Sequence, residues 1–193
     1  MSLLLQFDES APDQPRQRAK DQSEIAQLLA PLGVSFERWN AGETLPADAS
    51  AEQILRAYAS DIERLKQTRG YRSADVVRLK RNPNDPEWAQ KAAAARGKFL
   101  DEHTHAEDEV RFFVEGSGMF YLRGKGSVTL MLCERGDLLS VPAGTTHWFD
   151  MGSDPEFCAI RLFGSEAGWV ANFTGDEISS RFASFDDVRK RWA

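Results

Sequence analysis

Histidine and cysteine are rare in this sequence, with three histidines and two cysteines among 193 residues. Cys133 and Cys158 lie in separate apolar segments. Neither has a cysteine partner at metal-ligand spacing, which excludes a cysteine-rich zinc site. We predict that both are reduced thiols of the core, with a disulfide between them as the alternative.

Long apolar runs and an excess of positive charge are also missing. No apolar run approaches the roughly 20 residues that cross a membrane. The formal net charge of −6 speaks against nucleic acid or an anionic membrane as a partner. The opening MSLLLQFDES has an apolar patch with no basic residue before it, so we do not expect a secretory signal. We therefore predict a cytoplasmic protein, and the mixed charged surface favours a monomer.

The first hundred residues have mainly helical patterns. Three helices are predicted, each opened by a polar capping residue: they start at Asp21, at Ser50 and at Asp85. The second is expected to be continuous as far as Gly70, and the third carries a proline at its first position. Segments 34–39 and 74–79 read as strands.

After Gly97 the pattern changes to short strands separated by turn residues. The strand candidates are VRFFVEG, GMFYLRG, SVTLMLCERG, DLLSVPAG, THWFDMG and EFCAIRLFG. Their regular spacing predicts a jelly-roll barrel, so the fold class is mainly β with flanking helices. We expect a single domain over residues 1–193: a helix-rich part at 1–96, a metal-binding barrel at about 97–182 and a closing helix at 183–193.

All three histidines fall in one pattern with a carboxylate. Residues two apart in a strand point to the same side and lie roughly 6.6 Å apart, so His103 and His105 share a face and Glu109 has the same parity. His147 opens a later strand that can lie opposite the first pair. Three imidazoles and one carboxylate suit Fe²⁺, Ni²⁺, Mn²⁺ or Zn²⁺. An octahedral ion held by these four residues keeps two positions for a substrate that chelates through two oxygens.

Two arginines add positive charge near this pattern. Arg161 interrupts the apolar run FCAIRLF, and a charge there needs an anionic partner. Arg111 follows Glu109 with the same parity, and its guanidinium can favour loss of a proton from a metal-bound enediol. The alternative for each arginine is a structural ion pair with a carboxylate such as Asp108 or Glu115. Phe149 shares strand parity with His147 and is the best candidate for a pocket wall.

The spacing of these residues resembles the two cupin motifs. The first motif is matched by Gly97, His103, Thr104, His105, Glu109 and Gly116. The second is matched by Gly136, Pro142, Ala143, Gly144 and His147. Met151 stands where many cupins have asparagine, a departure that leaves the metal ligands untouched. The resemblance implies a double-stranded β-helix, the cupin barrel.

Within the cupins, the amino-acid sequence from about Asp75 to Phe182 resembles that of the acireductone dioxygenase family of methionine salvage. This resemblance implies cleavage of 1,2-dihydroxy-3-keto-5-(methylthio)pentene by dioxygen, with one Fe²⁺ or Ni²⁺ ion per chain. It implies 4-methylthio-2-oxobutanoate and formate from the iron form, and 3-methylthiopropionate, formate and carbon monoxide from the nickel form.

The same resemblance assigns roles to single residues. It implies that His103, His105, Glu109 and His147 bind the metal. It implies that Arg111 helps to form the substrate dianion, that Glu102 serves metal incorporation and that Asp108 relays local conformational change. The residues that it places near the substrate pocket are Phe99, Phe149, Arg161 and Trp169.

Two other functions fit the same ligands. One is a zinc or manganese cupin isomerase that acts on a sugar phosphate, which predicts more lysine and arginine around the pocket. The other is a cupin that binds a small ligand without catalysis.

Overall fold

A computed structural model describes residues 1–40, 45, 46, 48–165 and 168–193. The described strands are β1 (Leu3–Asp8), β2 (Gln17–Ala19), β3 (Ser35–Arg38), β4 (Ser73–Leu79), β5 (His103–Thr104), β6 (Glu109–Gly124), β7 (Ser127–Glu134), β8 (Asp137–Val141), β9 (Thr146–Asp150), β10 (Phe157–Phe163) and β11 (Asn172–Phe173). The described α-helices are α1 (Gln22–Leu29), α2 (Ala51–Ala57), α3 (Ala59–Arg69), α4 (Trp88–Gly97) and α5 (Phe185–Arg191). The fold is therefore mainly β with flanking helices, as predicted.

Strand β6 is the centre of the sheet. Its first half pairs with β8 and β10, and its second half pairs with β7 and β9, all antiparallel. The two strands predicted from VRFFVEG and GMFYLRG are thus one strand of 16 residues. Gly116 has φ +69° but is paired with Phe157 within the strand, so it does not form a turn, and the register shift next to it leaves Val114 as the extra residue of a β-bulge. The bend lets one strand serve both halves of the sheet.

The described residues among the first hundred contribute four strands to the sheet, more than the helical patterns predicted. β1 pairs with β7 and with β2, and β4 adds to the free side of β10. β3 covers β8. The expected strands at 34–39 and 74–79 are confirmed. β1 was missed because its apolar run LLLQF has no clear alternation, since almost every residue of it is buried.

The helices differ from prediction in two places. The helix expected after Ser50 divides at Tyr58, whose φ of −105° and ψ of 19° leave the helical region while its ring packs on Phe112. The helix expected at Asp85 begins at Trp88 instead. Asp85 accepts a hydrogen bond from the Glu87 amide in the preceding turn, so it caps that turn and not the helix.

Two of the predicted helices, one in the N-terminal part of the chain and one at its C-terminal end, are confirmed. Asp21 accepts hydrogen bonds from the Ser23 and Glu24 amides at the start of α1. Ser184 and Asp187 form a capping box at the start of α5. Val188 is buried and Trp192 is partly buried against β1, as expected. No helix in the described part of the chain is both long and apolar enough to cross a membrane.

Candidate metal centre

Four side chains converge at one end of the barrel. His103 on β5 lies directly opposite His147 on β9, and His105 is the first residue after β5. Each of the four, including Glu109, offers a ligand atom, and these atoms all lie within 4.8 Å of one another. All four residues are buried. The predicted convergence of the three histidines and the carboxylate is confirmed.

The segment between His105 and Glu109 is not part of one continuous strand, although the prediction from alternating side-chain directions assumed that it was. The strand ends at Thr104, residues 106–108 turn, and Glu109 opens the next strand. Glu109 reaches the histidines because the turn brings the chain back, and not because one strand extends through all three ligands.

Hydrogen bonds to carbonyl oxygens orient the three imidazoles. The Nδ1 atoms of His103, His105 and His147 lie 2.7, 2.9 and 2.8 Å from the oxygens of Asp101, Val170 and Thr145. A carbonyl oxygen only accepts, so each Nδ1 carries the hydrogen. In the neutral rings every Nε2 then holds a lone pair, as metal-binding histidines require.

Glu109 lies against these lone pairs. Its Oε2 is 3.0 Å from Nε2 of both His105 and His147. Burial raises the pKa of Glu109, but the charge of Arg111 and the contacts with the imidazoles of His105 and His147, which donate through Nε2 when they are protonated, outweigh it and hold the pKa well below its usual range. The carboxylate is therefore ionised at neutral pH.

The pKa values of His103 and His105 are shifted in opposite directions. Burial lowers the pKa of His103 to about 4, so this ring is neutral at physiological pH. Burial also lowers the pKa of His105, but the hydrogen bonds to Glu109 and to the Val170 carbonyl outweigh it and give a net rise. Without a cation, only a proton can relieve the contact between His105 and the carboxylate.

The donor set fits a metal ion. Two ligand atoms bound about 2.1 Å from one ion and at right angles lie about 3.0 Å apart, which equals the spacing of Oε2 from each neighbouring Nε2. Imidazole nitrogens and a carboxylate suit first-row divalent metals. These four residues are able to bind one metal ion.

Arg111 lies beside the carboxylate and is itself buried. Its Nε is 2.8 Å from Oε1 of Glu109, but the N–H does not point at the oxygen, so neither atom has a well-aligned hydrogen bond among the described residues. Burial lowers the pKa of Arg111 and the charge of Glu109 opposes this. The guanidinium stays charged at neutral pH.

Aromatic rings surround the Arg111 guanidinium. Its central carbon lies 4.2 Å from the ring centroid of Phe149, and 5.7 and 5.4 Å from those of Phe99 and Trp169. The structure therefore brings the three predicted pocket aromatics around one cation beside the carboxylate. The Phe149 amide also donates to the Phe99 carbonyl, which ties these two walls together.

Arg161 faces the same side of the sheet as Arg111, directly opposite it on β10. It forms a two-bonded ion pair with Asp75 of β4, at 2.8 and 2.6 Å. For Arg161 the alternative expected from the sequence, a structural ion pair with a carboxylate, is therefore what the structure shows, with Asp75 as the partner in place of Asp108 or Glu115. Arg111 instead lies against Glu109. Asp75 was missed because cross-strand neighbours far apart in sequence leave no local pattern.

Asp108 and Glu102 lie outside the ligand cluster. Asp108 accepts hydrogen bonds from the Ala143 amide and the Tyr71 hydroxyl, and its carbonyl accepts from the Trp169 indole. Glu102 accepts from Arg123 and from the Thr174 hydroxyl. Each carboxylate thus connects a ligand-bearing segment to another part of the fold.

Glu107 is a further anchor that the sequence did not indicate. Its carboxylate accepts hydrogen bonds from the Gly164 and Ser165 amides and from the Ser165 hydroxyl. In the sequence it looks like a solvated acid in a polar turn. In the fold it ties the turn between the ligands to the segment that leads to Trp169.

The ARD/ARD' family model matches residues 4–171 of the chain. Over 187 residues, the chain is 54% identical to an acireductone dioxygenase from Pseudomonas paraeruginosa, covering 97% of this chain and 100% of the relative. Over 188 residues, it is 51% identical to acireductone dioxygenase 1 from Nocardia farcinica, covering 97% and 99%.

A solved structure agrees with these relatives. It is the acireductone dioxygenase from Bacillus anthracis with a cadmium ion in its active centre, with a TM-score of 0.75 and 30% identity. The match covers 90% of this chain and 98% of that one. The shared fold is the cupin barrel that the motifs predicted. The chain belongs to the ARD/ARD' family.

Proposed function

We propose that this protein is an acireductone dioxygenase of methionine salvage, which uses dioxygen to cleave 1,2-dihydroxy-3-keto-5-(methylthio)pentene. One observation carries the proposal. Three imidazoles, each fixed by a backbone carbonyl, turn their lone pairs toward a buried carboxylate with a buried arginine behind it. That arrangement favours a metal ion and an anionic, chelating substrate.

The metal is the group that the four ligands would hold. When bound, it supplies a Lewis acid and a template for the enediol oxygens. We propose one Fe²⁺ or Ni²⁺ ion per chain, held by His103, His105, Glu109 and His147. By family resemblance, the iron form gives 4-methylthio-2-oxobutanoate and formate. The nickel form gives 3-methylthiopropionate, formate and carbon monoxide.

Arg111 is the catalytic residue in this proposal. Its guanidinium is a fixed cation in a buried, aromatic environment, where electrostatic attraction is stronger than in water. It favours the doubly deprotonated enediol, whose high electron density makes reaction with dioxygen possible. Because the pair with Glu109 lacks a well-aligned hydrogen bond, the N–H groups of Arg111 can turn toward a substrate oxygen.

The aromatic side chains bind and shield the substrate. Phe99, Phe149 and Trp169 exclude water from the space around Arg111 and offer apolar contact to the methylthio chain. Arg161 lies nearer to the protein surface than Arg111. For Glu102 we propose a role in metal incorporation, and for Asp108 a role in relaying local conformational change.

The wider setting follows from the same proposal. We propose a cytoplasmic monomer with a single cupin-type domain over residues 1–193. Its partners are the small acireductone substrate and dioxygen, without nucleic acid or membrane.

Metal reconstitution tests the proposal. Protein stripped of metal is loaded with one equivalent of Fe²⁺, Ni²⁺ or Zn²⁺, and oxygen uptake on acireductone is followed with product identification. We expect uptake with iron and nickel, and different products from the two. A zinc form that isomerises a sugar phosphate, or a protein that binds acireductone without oxygen uptake in any metal form, would contradict the proposal.

A further inference from the structure

A cavity of about 380 Å³ opens next to the proposed active site. Its lining residues include Ser73, Asp75, Arg161, Phe163, Ser165 and Trp169. Among the described lining residues, Asp75 and Arg161 are the only charged ones. Among the described residues, the charge at the wall of this cavity is therefore that of one ion pair.

The ion pair fixes the Arg161 guanidinium in a defined orientation. Nε and Nη2 donate to the two oxygens of Asp75, while Nη1 has no hydrogen-bond acceptor among the described residues. The central carbon lies 5.3 Å from the ring of Phe163 and 5.6 Å from that of Trp169. The free edge of the guanidinium is thus available at the cavity, with its charge offset by Asp75.

Trp169 connects this cavity to the metal ligands. Its ring centroid is 6.3 Å from that of His105, and the central carbon of Arg161 lies 5.6 Å from the same ring. Arg161 is about a quarter exposed, whereas the ligands are buried. Trp169 therefore lies between the ligands and the ion pair, which offers a route along which the distal end of a chelated substrate can extend.

We propose that Asp75 is a specificity-determining residue, which excludes substrates whose distal end is a tetrahedral dianion such as a phosphate monoester. The inference rests on the proposed function, in which the distal end is an uncharged thioether. A guanidinium with the Ser73 hydroxyl in the same cavity would otherwise attract such a dianion. With Asp75 in place the pair has no net charge, and the dianion meets a carboxylate at close range.

Sulfate binding tests the role of Asp75 without turnover. Sulfate is a tetrahedral dianion at all physiological pH values, and its affinity is measured by calorimetry at constant ionic strength. We expect Asp75→Asn to bind sulfate about 5-fold or more tightly than wild type. Asp75→Glu, which keeps the charge, is expected to bind sulfate as weakly as wild type.

Asp154→Asn is the matched control. Asp154 is also about half exposed and paired with an arginine, Arg81, but it lies outside this cavity. We expect sulfate affinity and oxygen uptake to stay at the wild-type level in this variant. The gain in Asp75→Asn is expected to disappear when Arg161→Met is added, because the effect acts through that guanidinium.

The outcomes separate the two proposals. Wild-type protein that takes up no oxygen on acireductone with iron or nickel would overturn the proposed function. Active wild-type protein, with Asp75→Asn binding sulfate within twofold of it, would overturn the role of Asp75 alone. A gain that persists without Arg161, or that appears equally in Asp154→Asn, would also overturn it.

Discussion

Two buried carboxylates stand close to opposite ends of β9, and their surroundings differ. Asp150 at the end of the strand accepts two hydrogen bonds from Arg96 and one each from the Gly152 and Phe185 amides. Glu109, beside His147 at the start of the strand, has imidazole Nε2 atoms against one oxygen and a poorly aligned arginine against the other.

The difference distinguishes a structural carboxylate from a functional one. Both residues are only 2% exposed, so burial alone does not tell them apart. Each oxygen of Asp150 accepts two hydrogen bonds, which is the usual way to stabilise a buried charge. The Oε2 atom of Glu109 instead faces two imidazole nitrogens that are themselves acceptors when neutral, and this contact is stable only with a cation or a proton between them.

Removing the charge of Glu109 should give the largest effect. In Glu109→Gln we expect metal content to fall from about one ion per chain to nearly none. Oxygen uptake should fall by more than about 100-fold. Losing a residue that only hydrogen-bonds to a metal ligand already lowers metal affinity or activity by about 10- to 100-fold. Elemental analysis and an oxygen electrode measure both.

The stability of the metal-free protein sharpens the comparison. Glu109→Gln alone leaves the buried Arg111 guanidinium without its carboxylate, so the stability test uses the Glu109→Gln/Arg111→Met double variant, which removes both buried charges. We expect this metal-free double variant to melt no lower than metal-free wild type. A Glu109→Gln variant that keeps its metal, or a metal-free double variant that is strongly destabilised, would place Glu109 with Asp150 as a structural residue.

Arg111→Ala is expected to give the next largest effect. Loss of one preorganised electrostatic group costs about 100- to 1,000-fold in kcat, while metal content should stay near wild type. Anaerobic substrate spectra measure the dianion directly. Unchanged spectra and rate in the metal-loaded variant would remove Arg111 from the mechanism.

Asp150→Asn tests the other end of the strand. The amide cannot satisfy all four donors or the charge of Arg96, so we expect a loss of about 2–3 kcal/mol in the free energy of unfolding. In a chain of this length that lowers the Tm by roughly 4–12 °C. Metal content at 20 °C should not change. Loss of metal without loss of Tm would break the comparison.

The sequence predicted the ligand cluster better than the segments that support it. His103, His105, Glu109 and His147 share a spacing that strand geometry brings together. Val170 orients His105 through a backbone carbonyl, which any residue type provides, so the sequence has no signal for it. The ion pair of Arg161 depends on strand register, which residue patterns did not determine.

The fold was predicted to a similar degree. Side-chain alternation and turn residues predicted the barrel strands, but a turn was expected at Gly116, where the structure has a continuous strand with a bulge at Val114. A positive φ at glycine is common to both, and only the pairing of β6 with β10 decides between them. The division at Tyr58 likewise depends on packing against Phe112, since the helical pattern continues through it.

The smallest predicted effect concerns Trp169, whose indole N–H donates to the Asp108 carbonyl at 3.0 Å. Trp169→Phe keeps an aromatic ring beside Arg111 but removes this hydrogen bond, which is worth about 1 kcal/mol. The ring is then free to move in the pocket, so we expect KM for acireductone to rise about 3- to 10-fold with metal content unchanged. Steady-state oxygen uptake measures the change, and Trp88→Phe, which removes an indole hydrogen bond to Asp154 away from the ligands, is the control. Equal effects in the two variants would mean that Trp169 contributes general stability and does not position the substrate next to the cluster around Glu109.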